Sequence, residues 1–566
     1  MQPKYFNIFF YSAIAALTII CVVCINLPLL DLDSSQYAYI SKEMFRTGNY
    51  LQVHLNGRDY LDKPPLVFWM SCLSFKVFGI HDWSFRLPSV LCLALGIYST
   101  YRYARLFYGE LAGKIAALIM ASCMAAFLMC FDVRIDTMLT GWVMFSMWQL
   151  AEYNINLKLK NLALGAAGIG LVMITKGPIG LVIPVTAFSI QFIYTRQWKS
   201  FLRWQYLIGV LIIAIILLPM SYGLYEQFDM HPEKIFEGRR GVSGLRFYYW
   251  TQSFGRITGE SAWSNNPDTF FLLHSFLWTF LPWTALFIVA LISEIRSKIK
   301  EYAGALKTEA ITVGGFVLIL LFLMRSRYQL PHYTFAIHPL AAVITAKYLI
   351  PFLSDQGASK GKVISAVSVF NITYRIHFAL MVVLYAAIYL LINYIFPSNI
   401  FFNIPITVSL TLFAYIFFNK KISYGYKAFS GTVLTYITVG FILAFVFYPR
   451  VLRYESGAEA VKEMNKLADL QSHLLIYKDY PSNTMAFYSK IPVSEDIDDN
   501  SISSNLIKGH TFIFADSANA QSVLNLHPDI KVVRRYRNFT VSLLTARFLN
   551  PATRISATNE YVLMKY

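Results

Sequence analysis

Long apolar runs alternate with short polar segments along most of the chain. A helix needs about 20 apolar residues to cross the hydrocarbon core of a bilayer. The pattern therefore predicts a mostly α, polytopic membrane protein with about thirteen transmembrane helices. The apolar runs that we assign as spans are 8–30, 86–107, 112–131, 136–152, 161–175, 178–195, 204–224, 269–293, 308–324, 333–350, 376–396, 402–418 and 427–448.

Two regions depart from this pattern. Segment 31–85 holds two shorter helical stretches, "SSQYAYISKEMFRTGNYL" and "PLVFWMSCLSFKVFG", which we expect to lie in the membrane interface. The tail has a helix-like run, "GAEAVKEMNKLADL", and then five strand-like runs, "HLLIYK", "TFIFAD", "IKVVRRY", "FTVSLLTA" and "YVLMKY". We therefore predict a transmembrane domain over 1–450, with large outer segments at 31–85 and 225–268, and a small soluble α/β domain over 451–566.

Composition and charge support a membrane protein and exclude other classes. The chain is 56% hydrophobic and 14% charged, whereas soluble domains carry about 25% charged residues. A net charge of +17 would suggest nucleic acid in a soluble protein. Here the Lys and Arg residues lie in alternate short loops, as the positive-inside rule requires, so no nucleic-acid partner is expected. This bias predicts an inner (cytoplasmic) membrane protein whose C-terminus faces the periplasm or its equivalent.

Cysteine use adds no further chemistry. The chain has six cysteines, and all of them lie in apolar segments before residue 131. We therefore expect no disulfide framework. The sequence shows no phosphate-binding loop, no dinucleotide fingerprint and no nucleophile elbow, so a nucleotide donor is not expected.

Carboxylates and cations gather on the predicted outer side. Asp33 follows the first span and Asp136 opens another. A carboxylate at the bilayer edge is costly unless it has a function or a partner, although a helix cap is the simpler explanation for either one. Lys63 is held between Asp62 and Pro64. A point cation of this kind suits a phosphate, and the alternative is a lysine that snorkels to the surface.

Other outward-facing residues extend this candidate site. Arg256, Arg325 and Arg327 are isolated basic residues that would accommodate a diphosphate or phosphodiester if they converged on one cavity. Asp62 with His54 or His81 is the candidate site for a divalent metal ion, but its spacing matches no known ligand pattern. A metal requirement therefore stays open.

The first outer segment also carries a long motif. Its stretch "DSSQYAYISKEMFRTGNYLQVHLNGRDYLDKPPLVFWMSCLSFKVFGIHDWSFRLPSVL" closely resembles the bacterial aminoarabinose transferases of lipid A and the wider group of transferases related to protein O-mannosyltransferases. That family pattern has an Asp after the first span, a helix, and a "G-x-x-Y-x-[ED]-K-P-P" turn. Weaker similarity over nearly the whole chain continues at "DVRIDTML", "TKGPIGLVIP", "FGRITGE", "FLPW" and "RYQLPHYTFAIHPLA".

The resemblance implies a GT-C glycosyltransferase fold and an activity. Such enzymes take a sugar from a polyprenyl-phosphate carrier and transfer it, with inversion, to an acceptor outside the cytoplasmic membrane. Asp33 and Asp136 would be the catalytic residues, with Asp33 as the base or orienting group on the acceptor side. Lys63 would bind the carrier phosphate. The residues implied for the donor sugar and phosphate, besides Lys63 and Asp136, are Tyr60, Arg256, Arg327 and Tyr333.

Three positions depart from the aminoarabinose transferase pattern. Asp62 replaces its Glu, Gln36 replaces its Arg, and Gln329 replaces its Lys. These differences leave the chemistry intact and leave the sugar open. We therefore keep three hypotheses: transfer to lipid A or another envelope glycolipid, transfer to Ser or Thr of exported proteins, and transport of polyprenyl-linked lipids. Transport is disfavoured because the charges lie at one face and the chain shows no internal repeat.

Overall fold

Helices form most of the chain. The structure is a computed structural model that describes residues 3–258, 260, 265–302, 308–353, 364–478 and 482–566. The principal helices up to residue 454 are Pro3–Ile25, Asp33–Thr47, Leu66–Phe78, Asp82–Ala121, Met124–Phe131, Ile135–Asn156, Leu159–Lys176, Ile179–Tyr194, Tyr206–Leu224, Phe271–Thr279, Thr284–Tyr302, Ile311–Met324, His338–Leu353, Ile364–Leu390, Asn403–Phe418 and Tyr424–Ile442.

Several of these helices are long and apolar enough to cross a membrane. Among the described residues, seven helices meet that test, and up to nine do so if each of two bent pairs is one span. The bends lie between Asp82–Ala121 and Met124–Phe131, at 57°, and between Phe271–Thr279 and Thr284–Tyr302, at 118°. The protein is therefore a multi-pass membrane protein, while the predicted number of thirteen exceeds the number that meets the test.

Two contacts fix the helices around the first outer segment. Gly141 lies so close to the Cys92 backbone that a Cβ there would be 2.2 Å from the Cys92 carbonyl oxygen, so only glycine allows this approach. Arg86 is 1% exposed. It donates to the carbonyls of Leu27 at 2.5 Å and Phe131 at 2.9 Å. These bonds use carbonyls that the ends of the helices would otherwise leave unpaired, and they fix the point where the first outer segment begins.

The first outer segment contains the two predicted helices, Asp33–Thr47 and Leu66–Phe78. Gly48 ends the first of them in the left-handed region, with φ 70°, where glycine is favoured. A small antiparallel hairpin, His54–Leu55 with Arg58–Asp59, lies between the helices. Their position in the membrane interface stays a prediction.

The tail folds around one five-stranded sheet. From edge to edge its strands are Val493–Ile497, His473–Tyr477, Thr511–Asp516, Asn559–Lys565 and Lys531–Asn538. The first three are parallel and the last two pairings are antiparallel. The helices of this region are Ser456–Leu467, Asn483–Tyr488, Ile502–Asn505, Ser517–Leu526 and Ala546–Leu549.

One predicted strand of the tail is wrong. The run "FTVSLLTA" forms a turn and the start of the short helix Ala546–Leu549 instead of a strand. Two of its apolar residues pack elsewhere. Val541 is buried in the cluster that includes the membrane helices, and Phe539 stacks on Phe548, which belongs to the same cluster and follows the run, with ring centroids 3.9 Å apart. Apolar residues whose spacing suits a strand thus pack against the membrane region instead.

Candidate active site

Two cavities meet at the start of the first outer segment. One, of about 120 Å³, is lined by the helices Ile135–Asn156, Ile179–Tyr194 and Ile311–Met324 and by segments beside them, with apolar and polar side chains in similar numbers. The other, of about 1930 Å³, lies among the outer segments and reaches the tail domain. The residues that line both cavities are Asp33, Lys63, Arg134, Leu330 and His332. A group that sits at this junction can therefore contact molecules in either cavity.

Arg134 links two carboxylates at the junction. It precedes the helix Ile135–Asn156 in an extended conformation. Its guanidinium donates to Asp132 at 2.6 Å and to Asp33, which begins the helix Asp33–Thr47. The Asp33 side chain is 44% exposed, so this carboxylate stays accessible from the large cavity.

Asp136 is the buried carboxylate of the site. It is 1% exposed and lies in the first turn of the helix Ile135–Asn156. Its Oδ1 accepts from Lys176 Nζ at 2.5 Å, while its Oδ2 lies 3.6 Å from His332 Nε2. Among the described residues, Oδ2 accepts no hydrogen bond. Lys176 also lies 3.7 Å from the centre of the Tyr333 ring, a cation–π contact that supports its charged form.

Lys63 is held by its neighbours at the mouth of both cavities. Its Nζ contacts Asp62 Oδ2 at 2.6 Å. Gln252, from the second large outer segment, donates to the Asp62 carbonyl and to Asp62 Oδ1 at 3.0 Å. The ammonium group is therefore positioned by two separate parts of the chain. This ordering reduces the side-chain entropy that is lost when an anion binds.

Two tyrosines beside these charges stay protonated. Burial, followed by the Asp62 and Asp33 carboxylates, raises the pKa of Tyr60 well above its ordinary value. Burial, followed by Asp33, does the same to the pKa of Tyr37. Tyr60 donates a hydrogen bond to Gln36 Oε1 at 3.2 Å. The acceptor of this tyrosine is therefore one of the residues that depart from the family pattern. Both hydroxyls remain neutral donors at physiological pH.

The structure brings most of the predicted site residues together. Asp33, Lys63, Asp136 and Tyr333 line the small cavity, and Tyr60 lines the large one. Their roles stay predictions.

The structure does not place the two predicted arginines in either cavity. Arg327 is exposed and lines neither of these cavities, but its neighbour Ser326 lines the small one. The side chain of Arg256 lies outside the described residues, although its backbone belongs to the helix Gly255–Thr258.

Sequence reasoning assigned no role to Lys176 and His332, and it indicated Arg134 only as a charged neighbour of Asp136. Each belongs to a quoted motif, "DVRID", "TKGP" or "LPHY", at the end of an apolar run. The sequence signal for such a residue is a polar side chain beside an apolar run. The residue with which it pairs, however, is 40 to 200 positions away in the sequence; Lys176 and Asp136, for example, are 40 residues apart. Such pairings depend on helix packing, which apolar periodicity does not specify.

The residues at Asp62 do not suit a metal ion. Asp62 uses its oxygens on Lys63 and Gln252. His54 instead lies 3.4 Å from Asp59. Within the described ranges, no group of three His, Cys, Asp or Glu residues could hold a metal ion. We therefore assign no metal to this site.

Comparison with known proteins identifies the class to which this architecture belongs. The chain superposes over 100% of its length on 98% of the ArnT structure from Cupriavidus metallidurans bound to undecaprenyl phosphate, with a TM-score of 0.74 and 17% identity. The apo state of the same protein gives a TM-score of 0.73. The fold is therefore the GT-C fold of that protein.

Sequence comparisons agree with this fold. The family profile described as dolichyl-phosphate-mannose-protein mannosyltransferase matches residues 62–222. The undecaprenyl phosphate-alpha-4-amino-4-deoxy-L-arabinose arabinosyl transferase 2 of Proteus mirabilis is 26% identical over 56% of this chain and 54% of its own length. An uncharacterized protein of Aquifex aeolicus is 26% identical over 79% of both chains. The chain thus matches about half the length of the arabinosyl transferase, and the predicted resemblance is confirmed.

Proposed function

We propose that this chain is an inverting glycosyltransferase that moves a sugar from a polyprenyl-phosphate carrier to lipid A or another envelope glycolipid. The observation that carries the proposal is the junction of the two cavities. There Asp33, Lys63 and Arg134 line both a small cavity that apolar side chains of three helices help to form and a large cavity of mixed polar and apolar lining among the outer segments. A lipid-linked donor and a polar acceptor require this combination of surfaces.

The chemistry assigns roles to five residues. The acceptor oxygen attacks the anomeric carbon while the bond from that carbon to the phosphate oxygen breaks, and the phosphate leaves with the electron pair. Lys63 stabilises the negative charge that develops on this phosphate. Asp33 accepts the proton of the acceptor hydroxyl, because it is the accessible carboxylate at the junction. Asp136, Tyr60 and Tyr333 contact the donor sugar.

Arg134 connects donor binding to the base. In the structure its guanidinium is bonded to Asp33, so this carboxylate already has a partner before the donor arrives. A phosphate that arrives beside Lys63 competes with Asp33 for this guanidinium. Donor binding thereby releases Asp33 towards the acceptor, so the base becomes active only when the carrier is present.

We also propose a transmembrane topology that places the candidate active site outside the cytoplasm. The helix Asp82–Ala121 contains a break at Gly109, with φ 85° and ψ 176°. Reading it as two spans supports about thirteen transmembrane helices. This number includes each bent pair and the helices Ile135–Asn156, Ile179–Tyr194 and Ile311–Met324, and it leaves Leu66–Phe78 in the interface. The site and the α/β domain over 451–566 then face the periplasm. A C-terminal reporter that is active only outside the cytoplasm should be active, and an inactive but intact reporter would contradict this topology.

The function is tested by comparing cells with and without the gene. Mass spectrometry of lipid A should show a glycosylated species only in cells that carry the gene, and a K63A variant should abolish it. Exported proteins from the same cells form the second arm of the experiment. Unchanged lipid A together with gene-dependent glycopeptides would replace the glycolipid acceptor with Ser or Thr.

That second candidate acceptor rests on one observation. The family profile that matches residues 62–222 is described as a protein mannosyltransferase, whereas the arabinosyl transferase relatives match more of the chain. The longer similarity is the reason that we favour a glycolipid.

A further inference from the structure

A third cavity lies where the last membrane helix meets the tail domain. Its volume is about 780 Å³, and it shares no lining residue with the two cavities of the candidate active site. Among the described residues that line it, one is acidic, Glu459, and six are arginines: Arg450, Arg453, Arg534, Arg535, Arg537 and Arg554. This excess of guanidinium groups indicates an anionic occupant.

Three of the arginines already have structural partners. Arg554 donates to the carbonyls of Phe548 at 2.9 Å and Ile395 at 2.5 Å, and so joins the tail to the end of a membrane helix. Arg535 and Arg537 lie 2.8 and 3.9 Å from Glu560. These contacts explain the presence of half of the cluster without any ligand.

The other three arginines have no carboxylate partner among the described residues. Arg450 makes one long hydrogen bond, to the Phe396 carbonyl at 3.4 Å. Arg534 lies over the Tyr536 ring, with its guanidinium 5.5 Å from the centroid. Arg453 is exposed and lines the same cavity as Arg450, three residues before it. Two guanidinium groups that line one cavity repel each other unless an anion lies between them.

The remainder of the lining is apolar. Pro28 follows the first membrane helix, and Phe396, Pro397 and Leu452 come from the ends of two others. The cavity thus combines arginines, from the strand Lys531–Asn538 and from the segment after the helix Tyr424–Ile442, with apolar residues at the ends of membrane helices. A phospholipid has the same arrangement, with an anionic headgroup next to acyl chains, whereas a free inorganic phosphate would use only the arginines.

A charged edge strand is the simpler explanation for part of this cluster. Lys531–Asn538 is an edge of the sheet, and charged residues on edge strands prevent pairing with other chains. That explanation covers Arg534, Arg535 and Arg537. It does not cover Arg450 and Arg453, which come from a different element and point into the same cavity.

We propose that this cavity binds the anionic headgroup of a bilayer phospholipid, with its phosphate held by Arg450, Arg453 and Arg534. Guanidinium groups bind phosphate oxygens through paired, charge-assisted hydrogen bonds. The positive-inside bias does not account for these arginines, an argument that rests on the proposed outward position of the tail. A bound lipid would hold the tail domain against the membrane beside the first outer segment.

The test uses the full-length protein purified in detergent. Native mass spectrometry would measure retention of phosphatidylglycerol and of phosphatidylcholine by the wild type, by R450Q/R453Q/R534Q and by K490Q/K508Q/K531Q. The control variant loses the same three charges from exposed positions elsewhere on the tail domain. We expect the wild type and the control to prefer phosphatidylglycerol, and the arginine variant to lose roughly tenfold or more of that affinity.

Several outcomes would overturn the proposal. Equal retention by the arginine variant and the wild type would exclude the site. An equal loss of lipid in the control variant would show that the overall charge of the tail, and not this cavity, determines binding. Competition by millimolar inorganic phosphate, with no preference between the two lipids, would indicate a free-phosphate site instead. The single variant R534Q is carried in parallel because it leaves the membrane helix unchanged; if only the triple variant unfolds, R534Q must still show a reduced affinity. K63A, a variant of the candidate active site, should retain phosphatidylglycerol. The lipid measurement therefore tests this cavity even if the glycosyltransferase proposal fails.

Discussion

Lys176, which is partly exposed, and the buried Asp136 form an ion pair 2.5 Å long, between the end of one helix and the start of another. Removing only the cation leaves an uncompensated carboxylate that is 1% exposed. We expect K176M to lower the stability by about 3–5 kcal/mol. The double variant D136L/K176M should recover most of that loss, because neither charge remains buried.

Thermal unfolding in detergent would measure both variants. Transfer activity provides the second readout, because the double variant should stay inactive although it is stable again. An unchanged melting temperature of K176M would contradict this ion pair.

Lys42 joins the first outer segment to the tail domain. It is 3% exposed, and its Nζ donates to the carbonyls of Phe487 and Ser489 at 2.7 Å and of Ala486 at 2.9 Å. K42M would leave three acceptors without a donor, each at a cost of roughly 1–3 kcal/mol. We expect faster limited proteolysis around residues 482–490 and a lower melting temperature. K76M, at an exposed position of the next helix, is the matched control and should behave as the wild type does.

Glu455 gives the junction of the tail domain a pH dependence. Burial, followed by the charge of Asp31, raises the pKa of this carboxyl from 4.5 to about 7. The folded protein therefore holds a proton that the unfolded chain releases at lower pH, and stability falls as the pH rises from 4.5 through 7. Melting temperatures between pH 5 and 8 should decline in the wild type, and E455Q should lose part of that slope. Identical slopes in the two proteins would contradict the raised pKa.

Lys63 is the predicted anchor of the carrier phosphate. K63A removes a point charge that is positioned by Asp62 and Gln252, so binding of undecaprenyl phosphate should weaken by roughly tenfold to a hundredfold. Binding would be measured by thermal shift or native mass spectrometry. K76A is the matched control, and an affinity of K63A equal to that of K76A would exclude the anchor.

The fold could be predicted from the sequence in outline. Apolar runs of spanning length and the change of pattern after residue 450 predict the membrane helices and a separate tail region, because both depend on local periodicity. The run "FTVSLLTA" was wrongly predicted as a strand, since its residues Phe539 and Val541 pack in the cluster that includes the membrane helices. Strand Val493–Ile497 was missed because "VSEDI" carries two acidic residues.

The candidate site could be predicted only in part. The turn "LDKPP" and the carboxylates beside two spans indicated Lys63, Asp33 and Asp136 as residues of one site. The partners Arg134, Lys176 and His332 depend on how distant helices pack, which no local pattern specifies. Arg327 shows the converse, because an outward-facing basic residue does not have to line the cavity.

The central claim is that Asp33 acts as the base while Lys63 holds the carrier. The most direct test measures carrier affinity and single-turnover transfer with the same preparation of D33N, using the polyprenyl-phosphate sugar and acceptor that the cellular experiment identifies. Removing a base lowers the rate without removing the binding of the donor. We predict a rate that is about 10²–10⁴-fold lower, with carrier affinity close to that of the wild type and of the exposed control D529N. Normal turnover by D33N would contradict the account and leave Asp33 as the first residue of its helix and a partner of Arg134.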